Sequence, residues 1–227
     1  MRRALNYAVD RGRVVGLSGA PLARPTCQIV PPTATGYRPY CPYTINPDSR
    51  GLWHAPDLAK ARSLVASSGS TGQKVKLWTF SHFITEARYI VTVLDELGYH
   101  ASVHEIADPD TYFRTLERTP NAQAGMLGWF GDPLAVDMLS TLTCGSHPNP
   151  AHFCDRNIEA QNERLAELEP SDPAGTSDLA SALDRKLTDQ APWVPLFTPW
   201  SVDATSTRVG NYQAQLGQVL LDQLWVN

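Results

Sequence analysis

The chain has 227 residues, a formal charge of −4, 42% hydrophobic residues and 19% charged residues. That is enough apolar material for one or two buried cores, and the mildly acidic balance excludes nucleic acid and anionic lipid surfaces as natural partners. The longest apolar runs, such as Tyr89–Leu94, fall far short of the roughly 20 residues that a membrane span needs.

Leu5, Ala8, Val9 and Leu17 recur at helical spacing, which predicts an amphipathic helix over Met1–Leu17. Met1-Arg2-Arg3 resembles a signal-peptide start, but no continuous apolar stretch or small-residue cleavage site follows. A chain that opens inside a helix, without cap or leader, leads us to expect further residues upstream. Ser18–His54 carries Pro31-Pro32, Gly36-Tyr37, Pro39 and Pro42-Tyr43, and proline fixes φ while removing a donor. An ordered but irregular segment is expected there. A helix over Asp57–Ser68 follows, with Leu58, Ala61, Leu64 and Val65 on one face and Gly69 just past its end.

The middle of the chain alternates between two periods. Lys74–Phe80 places Val75, Leu77 and Thr79 on one side of a strand, and Ile84–Leu97 is helical up to Gly98. A strand over Tyr99–Ile106, a helix over Pro109–Arg118 and a strand over Ala122–Trp129 come next. Alternating strands and helices with short connections predict an α/β sheet covered by helices. Helices near Asn157–Leu168 and Thr176–Thr188 flank a loop at Glu169–Gly175, and a strand is expected around Val194–Trp200. The tail Val209–Asn227 alternates apolar residues (Leu216, Val219, Leu221, Leu224, Val226) without an evident partner in what precedes it.

Four cysteines fall into two local pairs, Cys27/Cys41 and Cys144/Cys154, which predicts two disulfides and an oxidising compartment. Four buried thiols in a reducing compartment are the alternative. Cys144, His147, His152 and Cys154 also have a spacing that could bind zinc, although the Pro148-Asn149-Pro150 core is stiff, and no metal is expected. Catalysis finds no footing: there is no Gly-x-Ser-x-Gly elbow, no phosphate loop and no His-Glu-x-x-His. Asp108, Asp110, Glu117, Asp132 and Asp137 could supply a carboxylate pair, as in any chain of this size. No cofactor is expected.

Five segments carry a resemblance in the right order. They are Arg3–Arg11 (RALNYAVDR), Ile29-Val30-Pro31-Pro32 with Gly36-Tyr37, Asp57–Val65 (DLAKARSLV), Gly128–Pro133 (GWFGDP) and Ala191–Phe197 (APWVPLF). Together they resemble the C-terminal lobe of solute-binding proteins of peptide and nickel ABC importers, extracytoplasmic family 5. The resemblance implies an α/β fold, one lobe of a two-lobed periplasmic-binding-protein-like receptor (class II, cluster C) with a mixed sheet flanked by helices. It implies a ligand-binding lobe over residues 1–200 and a tail, 201–227, that returns to the other lobe. It further implies a non-enzymatic receptor that closes on a peptide or similar small solute. Its partner would be a membrane permease, and its place would be outside the cytoplasm on a lipoprotein anchor encoded upstream.

Within that resemblance, Asp132 matches the residue that pairs with a ligand ammonium, and Trp129 with Phe130 beside it matches the cleft wall. The cysteine pair matching Cys144 and Cys154 is bridged in dipeptide-binding members. The segment Pro133–Val136 is one residue shorter than usual, which offers Asp137 as a substitute anchor. Phe80 and His82 close another strand and could border the same cleft, and so could Trp78, for which core packing is an equal alternative. Read without the resemblance, Asp132 is a turn or cap aspartate before Pro133 and Trp129 a half-buried aromatic. Two other readings follow from the same residues. The lobe could serve as a ligand sensor fused to a DNA-binding regulator, which the paired cysteines oppose. It could also be a truncated frame, in which case the isolated chain should bind ligands weakly or not at all.

Overall fold

The computed structural model describes residues 1–119, 121–146, 149, 151–200, 202–215 and 218–226. His147, Pro148, Pro150, Ser201, Leu216 and Asn227, which entered the expectations above, lie outside the described residues.

The expected first helix is two: α1 (Arg2–Ala8) and α2 (Arg11–Leu17). Val9 turns extended, with ψ at 122°, and the Asp10 carboxylate accepts the Arg13 N–H at 2.9 Å, so a capping aspartate starts a second helix. The proline-rich segment runs irregularly to α3 (Leu58–Ser68), touching a strand only at β1 (Arg24–Pro25). Asp57 caps α3 by accepting from Lys60 N–H, and Gly69 ends it in the left-handed conformation at φ 63°.

The sheet is built from β2 (Lys74–Thr79), β3 (His100–Glu105) and β4 (Ala124–Gly125) in the order β3-β2-β4, all parallel. Between the strands run α4 (Ile84–Glu96) and α5 (Pro109–Glu117). Val75, Leu77 and Thr79 are buried together, as their alternation predicts. They face a core shared with Leu5, Val9, Val14, Val65, Ile90 and Leu94, while Trp78 on the opposite side packs toward Tyr112 and Leu116 of α5. The sheet is thus covered by helices on both faces.

Two expected strands shrink. β4 was expected over Ala122–Trp129, but the Gln123 side chain replaces its first ladder bonds: Lys76 N–H donates to Gln123 Oε1 at 2.8 Å, and Gln123 Nε2 donates to the Lys74 carbonyl at 2.9 Å. After Met126 N–H donates to the Trp78 carbonyl at 2.9 Å, the chain leaves the sheet. The late strand is β5 (Phe197–Thr198), paired antiparallel with β1; Pro192, Pro195 and Pro199 around it have no N–H to give a ladder. The mixed sheet expected from the resemblance is therefore divided among the described residues: three parallel strands in one sheet, and antiparallel pairs of two residues elsewhere.

A second core lies under the proline-rich segment. Ile29 and Val30 pack with Ala135 and Leu139 of α6 (Ala135–Leu139), Ile158 and Leu165 of α7 (Arg156–Leu168), and Leu183 and Leu187 of α8 (Ser177–Gln190). Helix α6 was not anticipated, since only five residues separate the turn before it from a 3₁₀ turn at Ser140–Leu142. Both cysteine pairs are bridged, Cys27–Cys41 and Cys144–Cys154, with Cα–Cα distances of 4.9 and 4.4 Å. The second bridge occupies both sulfurs of the zinc-like spacing, so no thiolate remains there to ligate a metal. In the tail, β6 (Val209–Gly210) pairs with β9 (Trp225–Val226), and β7 (Ala214–Gln215) with β8 (Gln218–Val219). Among the described residues no helix is long and apolar enough to cross a membrane.

Candidate functional site

Because β2, β3 and β4 run parallel, the segments that leave their C-terminal ends share one edge of the sheet, where open α/β sheets place ligands. The turn after β2 is Phe80–Phe83, the one after β3 is Ile106–Asp108, and the one after β4 is Met126–Asp132. Ile106 N–H donates to the Thr79 carbonyl at 2.9 Å, which extends the ladder to this edge.

The β2 turn divides its residues between core and surface. Phe80 is buried against Phe83, Tyr112 and Phe113, with ring centroids 5.1 to 5.6 Å apart, so it supports the edge rather than facing outward. His82 is exposed and lies edge-on to Phe83 at 4.7 Å. Trp78 is partly buried, its ring 4.2 Å from His104. Ser81 donates to Glu105 Oε1 and to the Ala107 carbonyl, both at 3.2 Å, and so ties the β2 turn to the β3 turn. Asp108 is engaged as the cap of α5: it accepts from Thr111 N–H at 2.7 Å, and the hydrogen bonds to Thr111 hold its carboxyl below the usual range.

The β4 turn lies beside these residues. A Cβ on Gly128 would stand 3.1 Å from Phe83 Cζ, so backbone and ring pack directly. The root is fixed from below by Tyr112, whose buried hydroxyl donates to the Met126 carbonyl at 2.7 Å; burial raises its pKa well above the ordinary tyrosine value and keeps it a donor. Trp129 is partly buried and its Nε1 donates to Asp137 Oδ2 at 3.1 Å. Phe130, by contrast, is 85% exposed. Asp132 is also exposed, and its carboxylate has no hydrogen-bond or ion-pair partner among the described residues.

Two residues that the sequence did not single out hold the far side of this turn. The Pro133 carbonyl accepts from Thr35 N–H at 2.7 Å and from Thr35 Oγ1 at 3.1 Å. Glu169 is completely buried at the end of α7, and its two oxygens accept the N–H groups of Ala135 and Val136 at 3.0 and 2.9 Å. A carboxylate on two N–H groups at a helix start satisfies donors that the helix itself cannot. Nothing local marks Glu169, which stands at a helix end before Pro170 as many solvated glutamates do. The edge therefore brings together Trp129, Phe130 and Asp132 on one fastened turn and Asp137 on the helix that follows it, with His82 on the neighbouring turn and Phe80 packed behind Phe83.

No protein-family profile matches the chain. Similar curated proteins are glutathione-binding proteins: GsiB of Escherichia coli strain K12, 24% identical over 229 residues, and GsiB of Salmonella typhimurium strain LT2, 25% identical over 223. The match covers 93% of this chain but 41% of theirs, so the chain spans about two fifths of the length of these relatives. Among solved structures, the clavulanic acid biosynthesis oligopeptide binding protein 2 superposes with a TM-score of 0.82 at 24% identity, over 99% of this chain and 43% of that one. The periplasmic binding protein DppA of Helicobacter pylori, in complex with the peptide STSA, gives 0.75 at 21% identity, over 99% and 43%. The Escherichia coli murein tripeptide binding protein MppA gives 0.75 at 18%, over 99% and 44%. These are binding proteins, not enzymes. The chain has the α/β fold of one part of the class II peptide-binding proteins and is homologous to that part of the solute-binding proteins of family 5.

Proposed function

We propose that this chain is the C-terminal lobe of an ABC-importer receptor that binds a peptide, or a similar small solute with a free ammonium group, between two lobes. The observation that carries this reading is the turn beyond β4. It presents an exposed aromatic ring and a carboxylate without a partner among the described residues, at the edge where parallel sheets place ligands, and it is fastened from behind by Thr35 and Glu169. A carboxylate held in place can take a ligand ammonium by a charge-assisted hydrogen bond without first paying to order its own loop. In this reading Asp132 is the charge anchor, Trp129 and Phe130 form a wall, and His82 borders the opening. The ligand draws an open receptor toward a closed one by touching both lobes at once.

The tail over 201–227 fits the role of a return to the opposing lobe, since among the described residues Val202, Leu221 and Val226 keep large apolar surfaces exposed here. The two disulfides suit an exported protein, anchored as a lipoprotein and handing its ligand to a membrane permease. They speak against an intracellular sensor. A melting-temperature screen of the receptor that joins this lobe to its opposing one, against di- and tripeptides including glutathione, tests the reading. A rise with at least one peptide is expected; no shift with any peptide, opine, sugar or metal chelate would sink it.

A further inference from the structure

A second carboxylate, Asp137, stands in the helix that follows the turn carrying Phe130 and Asp132, and the two acids are in different circumstances. Asp132 is exposed and without a partner among the described residues. Asp137, in the first turn of α6, spends Oδ2 on the Trp129 indole at 3.1 Å. Gly131 sits in the notch between them. A Cβ there would overlap Asp137 Oδ2 and come within 2.6 Å of Trp129 Nε1, although the glycine has no left-handed φ to require it. Glycine is needed at 131 for space alone, and the space it leaves is filled by this hydrogen bond. Together with Glu169 on the Ala135 and Val136 N–H groups and Thr35 on the Pro133 carbonyl, the bond closes the stretch from Trp129 to Asp137 into a braced turn.

We infer that Asp137 is a positioning residue of the cleft and not a ligand anchor: its carboxylate holds the Trp129 indole across Gly131, and this tie fixes how Phe130 and Asp132 meet a ligand. The inference deepens the receptor reading and rests on it for the word cleft, while the tie itself is a property of the chain alone. An indole donating to a carboxylate makes a charge-assisted hydrogen bond, so an uncharged amide oxygen can replace the acceptor at reduced strength, whereas a methyl group cannot. A ligand ammonium would respond differently, since it needs the charge.

Indole N–H exchange of Trp129, assigned with Trp129→Phe, reads the tie by NMR in the 227-residue chain without any ligand. Asp137→Ala should speed that exchange by about tenfold, the worth of one such hydrogen bond. Asp137→Asn should restore most of the protection, and Gly131→Ala should behave like Asp137→Ala because its new Cβ pushes the pair apart. Unchanged exchange in Asp137→Ala would overturn the inference. The same substitutions in the receptor that joins this lobe to its opposing one, titrated with Ala-Ala-Ala, then separate anchor from support. Resonances of residues 129–132 should move in the parent receptor and in its Asp137→Asn form, and fail to move in Asp132→Asn. Loss of the peptide response in Asp137→Asn with the Trp129 bond intact would make Asp137 the anchor and overturn the inference. If no form of the receptor responds to Ala-Ala-Ala or to any ligand of the melting screen while the exchange pattern is as expected, the tie stands and the receptor reading is what fails.

Discussion

Two stretches of this chain lack regular structure, and they are held in opposite ways. The proline-rich segment between α2 and α3 is fastened by buried polar side chains. Arg11 is fully buried and donates to the carbonyls of Thr26 and Pro195 at 2.8 Å, of Asn6 at 3.0 Å and of Tyr43 at 3.4 Å. Asp184, 2% exposed on α8, accepts the N–H groups of Ile29 and Val30 at 3.1 Å and Gln28 Nε2 at 2.6 Å. The Tyr43 hydroxyl donates to the carbonyls of Thr188 and Asp189, and the Cys27–Cys41 bridge closes the segment on itself. The tail from Val202 to Val226 has short two-residue ladders and surface hydrogen bonds such as Asn211 Nδ2 to the Gln223 carbonyl at 3.0 Å. Val202, Leu221, Trp225 and Val226 are exposed, and no apolar side chain of the tail joins the three cores among the described residues. Irregular backbone can be as firmly placed as a helix when side chains from elsewhere satisfy its polar groups. Where the side chains are apolar and outward, placement waits on another surface.

The largest effect should come from Arg11→Met. It leaves several buried carbonyls without a donor, and breaking a buried charged network of this kind costs about 4 kcal/mol. Urea unfolding would show it, and a loss below about 1 kcal/mol would mean water or neighbouring groups take over the carbonyls. Replacing Cys27 and Cys41 together by serine should cost about 3 kcal/mol in the chain-entropy model, because their separation of 14 residues closes a medium loop. If the polar fastenings alone suffice, the loss will be much smaller.

Asp184 sharpens the comparison through pH. Burial pushes its pKa up to about 6, against the pull of the Val30, Gln28 and Ile29 donors. The native state therefore keeps this proton at pH values where the unfolded chain, near 3.9, has lost it. Its contribution favours folding most at pH 4 and below, declines as pH rises to about 6, and is flat above, a swing of about 2–3 kcal/mol. The difference in stability between Asp184→Asn and the parent chain, followed from pH 4 to 7, should trace that decline. An unchanging difference would contradict it. Smallest of all, Leu221→Ser in the tail should alter the stability of the chain by no more than about 0.5 kcal/mol, since that side chain is 74% exposed. A larger loss would place the tail against the core.

The contrast also accounts for what the sequence could reveal. Short-range signals were legible: the Asp57 and Gly69 ends of α3, the Val75, Leu77 and Thr79 face of β2, the start of α5 at Pro109 and the two local cysteine pairs. Asp10 carried the same capping signal, but the apolar spacing of Leu5, Val9 and Leu17 masked it. What depends on distant partners was not legible. Gln123 standing in for a strand, Glu169 under α6 and Thr35 on Pro133 each join residues 30 or more apart in sequence. The segment 128–133 was visible through its resemblance; that Trp129 engages Asp137, and that Asp132 has no partner among the described residues, depends on how the turn folds back onto α6.

Asp132 as the partner of a ligand ammonium is tested by acetylation, a single chemical change. Calorimetric titration of the two-lobed receptor with a tripeptide that its screen identifies, free or N-acetylated, should show at least about tenfold tighter binding of the free amine, the scale of one charge-assisted hydrogen bond. Asp132→Asn should erase that preference while leaving the acetylated peptide unaffected. Equal affinity for both peptides in the parent receptor, or a preference that survives Asp132→Asn, would contradict the account.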